Sequence, residues 1–309
     1  MRPASTELPS HQAPDTKHQV PLIGRLAPTP SGYLHLGNAV NFVLTWLLVR
    51  QAGGTLHLRI DDLDRARLRR PYLENIFRVI DWLRLDYDRG PSGPDDFLRH
   101  HSQLLHLPEY NRVLRRLTQQ PGLVCGSQRS RTSGVGEQAS SLSTPGAAWR
   151  ARVPPGTTIR WADGWSAEPC VRLAEEMPNF IVRKKDGVAA YQLASVVDDL
   201  RLGTTLIVRG LDLLPSTAAQ LWLAEHLTET RAFQASRIHF CHHPLLTDAT
   251  GHKLSKSTQA AGDAGVLAQS GTPGLIYRSV ARLLKLPEGA GESVATLRAA
   301  LLGWHHPLC

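Results

Sequence analysis

Residues 20–37 have the sequence VPLIGRLAPTPSGYLHLG. The apolar first part, Val20–Ala27, is typical of a buried strand, and Asn38–Arg50, directly after the stretch, is typical of a helix. A short glycine-containing turn between a strand and a helix directs backbone N–H groups and the positive helix end at an anion such as phosphate. The stretch therefore predicts an α/β fold with a phosphate site near His35.

A second segment with phosphate-binding character lies near the other end of the chain, at residues 253–257, with the sequence KLSKS. It places Lys253 and Lys256 on either side of Ser255, in a polar stretch next to Gly251. Each segment alone is weak evidence. Their order and wide separation together favour nucleotide chemistry.

The composition is ordinary for a globular enzyme. The chain has 309 residues, 42% hydrophobic and 20% charged, which is enough for a sizeable core. Its net charge of +8 favours a polyanionic partner such as nucleic acid. An arginine-rich proteome produces the same charge without such a partner, so the charge alone leaves both alternatives open.

The cysteines and the apolar runs predict a cytoplasmic protein without a membrane segment. Four scattered cysteines form no Cys-x-x-Cys pair, which disfavours a disulfide framework and suits a reducing compartment. They are Cys125, Cys170, Cys241 and Cys309. No apolar run reaches the roughly 18 residues that span a bilayer, and residues 1–19 have the composition of a frayed tail.

Hydrophobic periodicity predicts strands that alternate with helices, and hence a parallel sheet whose ligands bind beyond the carboxyl ends of its strands. The predicted strands are Val20–Ala27, Thr55–Ile60 and Thr205–Val208. The predicted helices are Ala39–Ala52, Pro71–Arg84, Ser102–Gln119 and Thr217–Thr228. A hairpin is predicted from Phe180–Arg183 and Val188–Tyr191. Residues 126–148 contain almost no large apolar side chain and are predicted to form a flexible loop.

Five ordered motifs resemble the glutamyl-tRNA synthetase group of class I aminoacyl-tRNA synthetases. They are Arg25–Gly32 with His35–Gly37, Arg59–Asp64, Tyr191–Asp199, Val208–Gly210 and Lys253–Lys256. The resemblance implies a Rossmann-like parallel sheet with an inserted α+β subdomain and a short helical C-terminal piece. The segment Asp212–Thr217 and the early end after the lysine loop resemble a truncated branch of the group.

The resemblance also implies a division of the chain. The parts are a tail at 1–19, a first Rossmann-like half at 20–105, an inserted acceptor-binding-like subdomain at 106–190, a second half at 191–258 and a helical region at 259–309. The 53 residues that follow Lys256 are too few for an anticodon-binding domain.

The function implied by the resemblance is ATP-dependent activation of glutamate to glutamyl-adenylate, followed by transfer to queuosine in the anticodon of tRNA(Asp). Two alternatives stay open. A paralogue could transfer an amino acid to a tRNA 3′ end, a small molecule or a protein, and an RNA-binding relic would have no activity. We expect a monomer whose partners are tRNA and glutamate.

By the same resemblance, two sets of residues form the site. The ATP-binding residues are Pro30, His35, Gly37, Lys253, Ser255 and Lys256, of which His35, Lys253 and Lys256 are the catalytic residues. The glutamate-binding residues are Arg25, Ala27, Thr29, Asp61, Tyr191 and Arg209. The two arginines hold the side-chain carboxylate, Tyr191 supplies a hydroxyl and a wall, and Thr29 and Asp61 face the amino group. Mg²⁺ accompanies ATP as the counter-ion of the triphosphate.

The chain departs from the family pattern at Asp61, at Ser195, which stands where the family has Asn or a small apolar residue, and at the cysteines near Cys125. Asp61 stands where the family has glutamate, so the carboxylate is one methylene shorter. Cys125 is the one cysteine kept from a zinc knuckle, and because tetrahedral zinc needs four ligands, we predict no zinc.

Three pairs of adjacent histidines suggest a metal site at first sight. They are His100-His101, His242-His243 and His305-His306. Adjacent residues of a strand point to opposite faces, so such a pair cannot easily share an ion, and no metal is predicted there.

Overall fold

The computed structural model describes residues 21–128, 140–166, 168–246, 265–269 and 271–302. Its strands are β1 (Ile23–Leu26), β2 (Thr55–Leu58), β3 (Val124–Ser127), β4 (Ala148–Ala151), β5 (Ile159–Arg160), β6 (Cys170–Val171), β7 (Ile181–Arg183), β8 (Leu206–Gly210) and β9 (His239–His243). Its α-helices of four or more residues are α1 (Leu36–Gln51), α2 (Arg70–Trp82), α3 (Leu107–Thr118), α4 (Leu173–Glu176), α5 (Tyr191–Arg201), α6 (Leu214–Glu225), α7 (Val266–Gln269), α8 (Gly274–Leu283) and α9 (Val294–Leu301).

The central sheet has four parallel strands in the order β2-β1-β8-β9. The predicted parallel α/β sheet is therefore confirmed. The edge strand β9 was not among the predicted strands, although Leu206 pairs with His239 at its start. Because all four strands run the same way, their carboxyl ends bring residues from distant parts of the sequence to one edge.

Helix α1 forms the centre of the larger core. Its side chains are buried on every face except at the ends, since β1 and β8 cover one side and α8 and α9 the other. A helix that is apolar all round needs this double cover. Two hydrogen bonds attach the C-terminal helices, from Gln51 Nε2 to the Leu301 carbonyl at 2.9 Å and from Tyr277 Oη to the Leu83 carbonyl at 2.9 Å. None of the described helices is long and apolar enough to cross a bilayer.

The prediction of a flexible loop at residues 126–148 is wrong at both ends of this range, where the structure has strands. Gly126 and Ser127 belong to β3, and Gly126 exchanges two backbone hydrogen bonds with Ser140 at 2.9 and 3.1 Å. A Cβ atom at Gly126 would lie 2.4 Å from the Ser141 carbonyl oxygen, so glycine permits this close pairing. Small residues thus gain backbone hydrogen bonds without large apolar side chains. Residues 129–139 lie outside the described part of the chain.

Two further boundaries differ from the predictions. The helix predicted at Ser102–Gln119 begins as an α-helix only at Leu107, after a 3₁₀ turn at Gln103–His106, because Pro108 favours the first turn of a helix. In the predicted hairpin, the second arm is reduced to a bridge between Arg183 and Ala189. Tyr191 starts α5 and is not part of a strand.

Candidate active site

His35 caps the N-terminus of α1. Its Nδ1 accepts a hydrogen bond from the Gly37 N–H at 3.1 Å, and Asn38 Oδ1 accepts one from the His35 N–H at 3.0 Å. A Cβ atom at Gly37 would lie 3.1 Å from Cε1 of the histidine ring, which accounts for the glycine. With Nδ1 acting as an acceptor, the neutral ring carries its proton on Nε2. The other predicted phosphate-binding group, Lys253, Ser255 and Lys256, lies outside the described residues.

At the carboxyl edge of the sheet, two arginines bind one carboxylate and a third arginine lies near it. Arg25 of β1 donates from Nε to Asp199 Oδ1 at 2.9 Å, and Arg59, which follows β2, donates from Nη1 to the same oxygen at 2.6 Å. Arg209 of β8 is close enough to influence the ionisation of both Arg25 and Asp199. We call the set Arg25, Arg59, Asp61, Asp199 and Arg209 the arginine cluster.

Asp61 is held by Arg59 in a two-pronged contact. Nε and Nη2 of Arg59 donate to the two oxygens of Asp61 at 2.7 and 3.1 Å. The Asp61 N–H also donates to the Pro28 carbonyl at 2.9 Å, which brings Asp61 beside the segment that contains Thr29. The position of Asp61 near Thr29 agrees with the predicted amino-group site, while its role there stays a prediction.

Arg209 is the most informative side chain of the cluster. It is only 4% exposed, and its Nη1 donates to Thr217 Oγ1 at 3.0 Å and to Gln220 Oε1 at 2.8 Å. Its Nη2 is buried and has no hydrogen-bond partner among the described residues. For Arg25, the one nitrogen with a partner in the described part of the chain is Nε. Buried guanidinium nitrogens without partners are costly unless an anionic ligand completes them.

The charges in the arginine cluster do not balance. Within this set of five residues, three guanidinium groups face two carboxylates, so the cluster as defined carries a formal charge of +1. Burial lowers the pKa of Arg25, and its neighbours Arg209 and Arg59 act in the same direction against Asp199. Burial opposes the charge of Asp199, but Arg25, Arg59 and Arg209 outweigh it and lower the pKa of that carboxyl. A single carboxylate ligand would neutralise the cluster.

The remaining predicted glutamate-binding residues lie near the same edge of the sheet, but none of their side chains has a hydrogen bond to the arginine cluster within the described residues. Ala27 and the exposed Thr29 follow β1, and Tyr191 begins α5 with 44% of its surface exposed. Neither Thr29 nor Tyr191 has a side-chain hydrogen bond within the described residues. The structure therefore brings Arg25 and Arg209 together and leaves the side chain of Tyr191 exposed to solvent.

Comparison with known proteins gives the family. The model described as "tRNA synthetases class I (E and Q), catalytic domain" matches residues 21–122 and 128–298. The chain belongs to this family. The prediction of a class I synthetase-type ligase is thereby confirmed.

Relatives within this synthetase family are similar over most of the chain. A protein of Nitratidesulfovibrio vulgaris named glutamyl-Q tRNA(Asp) synthetase is 36% identical over 81% of this chain and 82% of its own length. A protein of the same name from Symbiobacterium thermophilum is 36% identical over 85% of this chain and 86% of its own length. The predicted relation to the truncated branch is confirmed by these matches.

Solved synthetases share the fold. The glutamate-tRNA synthetase of Elizabethkingia anophelis superimposes with a TM-score of 0.71 at 21% identity, covering 90% of this chain. This chain spans 65% of the length of that synthetase. At this identity the likeness concerns the fold alone.

Several residues that complete the site were not predicted from the sequence. They are Arg59, Asp199, Thr217 and Gln220. A signal was present for Asp199, since two adjacent acidic residues directly follow the apolar pair Val196-Val197 in helix α5. Within the described part of the chain no group of three or more His, Cys, Asp or Glu residues could hold a metal ion.

Proposed function

We propose that this synthetase activates glutamate with ATP and transfers the glutamyl group to queuosine in tRNA(Asp). The proposal is carried by one observation, the buried Nη2 of Arg209 without a partner in a cluster with one positive charge in excess. It is supported by the relatives named glutamyl-Q tRNA(Asp) synthetase.

The side-chain carboxylate of glutamate matches the arginine cluster in charge and geometry. One oxygen would accept from Arg209 Nη2 and the other from the terminal nitrogens of Arg25, so that one ligand group neutralises the excess charge. Hydrogen bonds from guanidinium to carboxylate are short and strong, and a fixed pair of them selects a planar anion. The neutral amide of glutamine would leave the excess charge unbalanced.

The α-ammonium group is assigned to the other side of the cluster. Asp61 has two oxygens that accept from Arg59 and further lone pairs that can accept from an ammonium group. Burial raises the pKa of Asp61 against the opposing effect of Arg59. Thr29 and Tyr191 complete this side with hydroxyl groups.

Activation needs orientation and charge neutralisation and no general base, because the attacking α-carboxylate is already ionised. In-line attack on the α-phosphate forms glutamyl-adenylate and releases pyrophosphate. Nε2–H of His35 would donate to a phosphate oxygen. Lys253 and Lys256 would stabilise the charge on the departing pyrophosphate, and Mg²⁺ enters with ATP as part of the substrate.

Pyrophosphate exchange tests the activation step. Purified protein, ATP, Mg²⁺ and labelled pyrophosphate are incubated without tRNA and with glutamate, glutamine or aspartate in turn. We expect label in ATP with glutamate, and at least tenfold less with either of the other two. Absence of exchange with every amino acid would refute the enzymatic proposal.

A separate experiment tests the acceptor. Labelled glutamate is offered with tRNA(Asp) that contains queuosine, with tRNA(Asp) that lacks it, and with queuosine-containing tRNA(Asp) whose 3′-terminal adenosine has been removed. We expect label on the first and third RNA and none on the second. Label that disappears when the terminal adenosine is removed would establish 3′-end aminoacylation instead. Size-exclusion chromatography and metal analysis of the same preparation test the expected monomer and the expected absence of zinc.

A further inference from the structure

A chain of hydrogen bonds leads from the segment between β5 and β6 to Arg209. Asp163 Oδ2 lies 2.5 Å from His242 Nδ1, and His242 Nε2 lies 2.9 Å from Thr217 Oγ1. Thr217 Oγ1 in turn accepts from Arg209 Nη1 at 3.0 Å. The side chains of Asp163, His242 and Thr217 are all buried. Thr217 is the member of this hydrogen-bond chain that bonds to the arginine cluster.

The partners fix the direction of each bond. Asp163 Oδ1 accepts from the N–H groups of Trp165 and Ser166 at 3.0 and 3.1 Å, which leaves Oδ2 to accept from His242 Nδ1. Burial lowers the pKa of His242 and so favours its neutral ring. Burial opposes the charge of Asp163, but the bonds from the His242 ring and from backbone N–H groups outweigh it and lower the pKa of Asp163 to about 2. With its proton on Nδ1, the ring must accept at Nε2, so the Thr217 hydroxyl donates to it.

The orientation of Thr217 determines that of Arg209. A hydroxyl that donates to His242 presents its lone pairs to Arg209 Nη1, whose second hydrogen goes to Gln220 Oε1 at 2.8 Å. With both Nη1 hydrogens occupied, the planar guanidinium cannot rotate, and Nη2 is held in its buried position without a partner. A fixed donor binds a carboxylate better than a mobile one, because less order has to be imposed on binding.

We propose that Asp163, His242 and Thr217 are positioning residues for glutamate, which act by holding Arg209 Nη2 toward the substrate carboxylate. This inference rests on the proposed function and deepens it. Asp163 lies outside the central sheet and forms a parallel bridge with Phe240 of β9. The position of the segment between β5 and β6 against β9 therefore determines how tightly glutamate binds.

A matched pair of substitutions at Thr217 tests the proposal. Thr217→Val keeps the shape and removes the hydroxyl, whereas Thr217→Ser keeps the hydroxyl and removes a methyl group. In glutamate-dependent pyrophosphate exchange, we expect Thr217→Val to raise the KM for glutamate about tenfold, the usual effect of losing one hydrogen bond to a charged group. The KM for ATP should stay within twofold, and Thr217→Ser should restore most of the affinity for glutamate.

Asp163→Asn tests the end of the hydrogen-bond chain that lies farthest from Arg209. Because Oδ1 must keep accepting from Trp165 and Ser166, the new amide NH₂ would face His242 Nδ1 and force the ring proton onto Nε2. The ring would then donate to Thr217, whose own hydrogen loses its acceptor. We expect a rise of several-fold in the KM for glutamate, again with an unchanged KM for ATP.

Thr230→Val is the control for loss of a buried threonine hydroxyl. Thr230 Oγ1 donates to the Ala224 carbonyl at a distance of 2.9 Å, and neither residue belongs to the arginine cluster. Thermal unfolding of every variant confirms that it is folded at the assay temperature. An active wild type together with an unchanged glutamate KM in Thr217→Val would overturn this inference alone. Equal losses in Thr217→Val and Thr217→Ser would overturn it in favour of packing. A wild type without glutamate-dependent exchange would refute the proposed function, and this inference with it.

Discussion

Asp198 and Asp199 are adjacent on α5, and both side chains are fully buried, but they belong to two different kinds of polar cluster. Asp198 accepts from Tyr110 Oη at 2.8 Å, from Gln103 Nε2 at 2.7 Å and from Arg201 Nη2 at 3.2 Å. We call Gln103, Tyr110, Asp198 and Arg201 the Asp198 cluster. It contains one negative and one positive charge, and both oxygens of its carboxylate have partners.

The arginine cluster, one residue away, is left incomplete. Asp199 Oδ1 accepts hydrogen bonds from Arg25 and Arg59. Asp199 Oδ2 and Arg209 Nη2 are buried and have no hydrogen-bond partner in the described part of the chain. Successive residues of a helix are turned by about 100° around its axis, so the two carboxylates face different surroundings. The difference supports the proposal that the unsaturated cluster binds glutamate, whereas the saturated one stabilises the fold.

The largest expected effect is that of Arg209→Lys. A lysine cannot bond to Thr217 and Gln220 and also present a second donor to the substrate, because its ammonium lacks the planar fork. We expect kcat/KM for glutamate in pyrophosphate exchange to fall about 100-fold, in line with the loss of a buried charged contact. Arg201→Lys, in the Asp198 cluster, is the matched control and should change kcat/KM less than threefold. Comparable losses in the two variants would contradict the division between the clusters.

Asp198→Asn should lower the stability of the fold and leave the binding of glutamate unchanged. It removes the negative charge and places an amide NH₂ against one of three donors, so we expect a loss of about 3 kcal/mol in the free energy of unfolding. The KM for glutamate should stay within twofold of the wild-type value. Urea unfolding and pyrophosphate exchange on the same preparation measure both quantities. A rise of tenfold or more in the KM for glutamate, the size expected for Thr217→Val, would place Asp198 in the binding site as well.

Much of this arrangement was predictable from local patterns. The alternation of strands and helices predicted the parallel sheet, and the turn before α1 predicted the position of His35. The pairing of Arg25 and Arg209 was predicted from the family resemblance, and the sheet brings them to one edge because β1 and β8 are neighbours.

The remainder depends on contacts that no local pattern contains. Asp163 and His242 are 79 residues apart, and neither position carries a signal of its own that indicates the other. The different surroundings of Asp198 and Asp199 follow from the packing of α5 against α3 and the sheet. The prediction of a loop was wrong at the two ends of residues 126–148 for another reason, since backbone pairing between small residues needs no hydrophobic periodicity.

A smaller effect is expected for Tyr110→Phe. The ring volume is kept and one hydrogen bond to the Asp198 carboxylate is lost, so we expect a loss of about 1.5 kcal/mol in the free energy of unfolding and an unchanged KM for glutamate. Tyr277→Phe provides the control, because Tyr277 is also buried but donates to a neutral carbonyl, that of Leu83. Its expected loss is about 0.5 to 1 kcal/mol. Equal losses at the two tyrosines would indicate that the charge on Asp198 contributes nothing to the cluster.

The smallest expected effect is on the pH dependence of stability, through His57 of β2. Burial lowers the pKa of His57, Arg89 and Arg201 of the Asp198 cluster lower it further, and Asp88 opposes them. The unfolded chain therefore takes up a proton as the pH falls through about 6.5, while the folded chain resists it, so stability is greatest above this pH and decreases below it.

Urea unfolding between pH 7.5 and 5.5 measures this dependence, with His57→Gln as the non-titrating variant. One histidine contributes at most about 1.4 kcal/mol per pH unit. The decrease should be shallower in His57→Gln by no more than this amount, because the buried His242 and His243, whose pKa values are also lowered by burial, continue to titrate in both proteins. Parallel curves for the two proteins would mean that His57 takes up its proton equally in the folded and unfolded chains, and that Arg201 exerts no measurable influence beyond its own cluster.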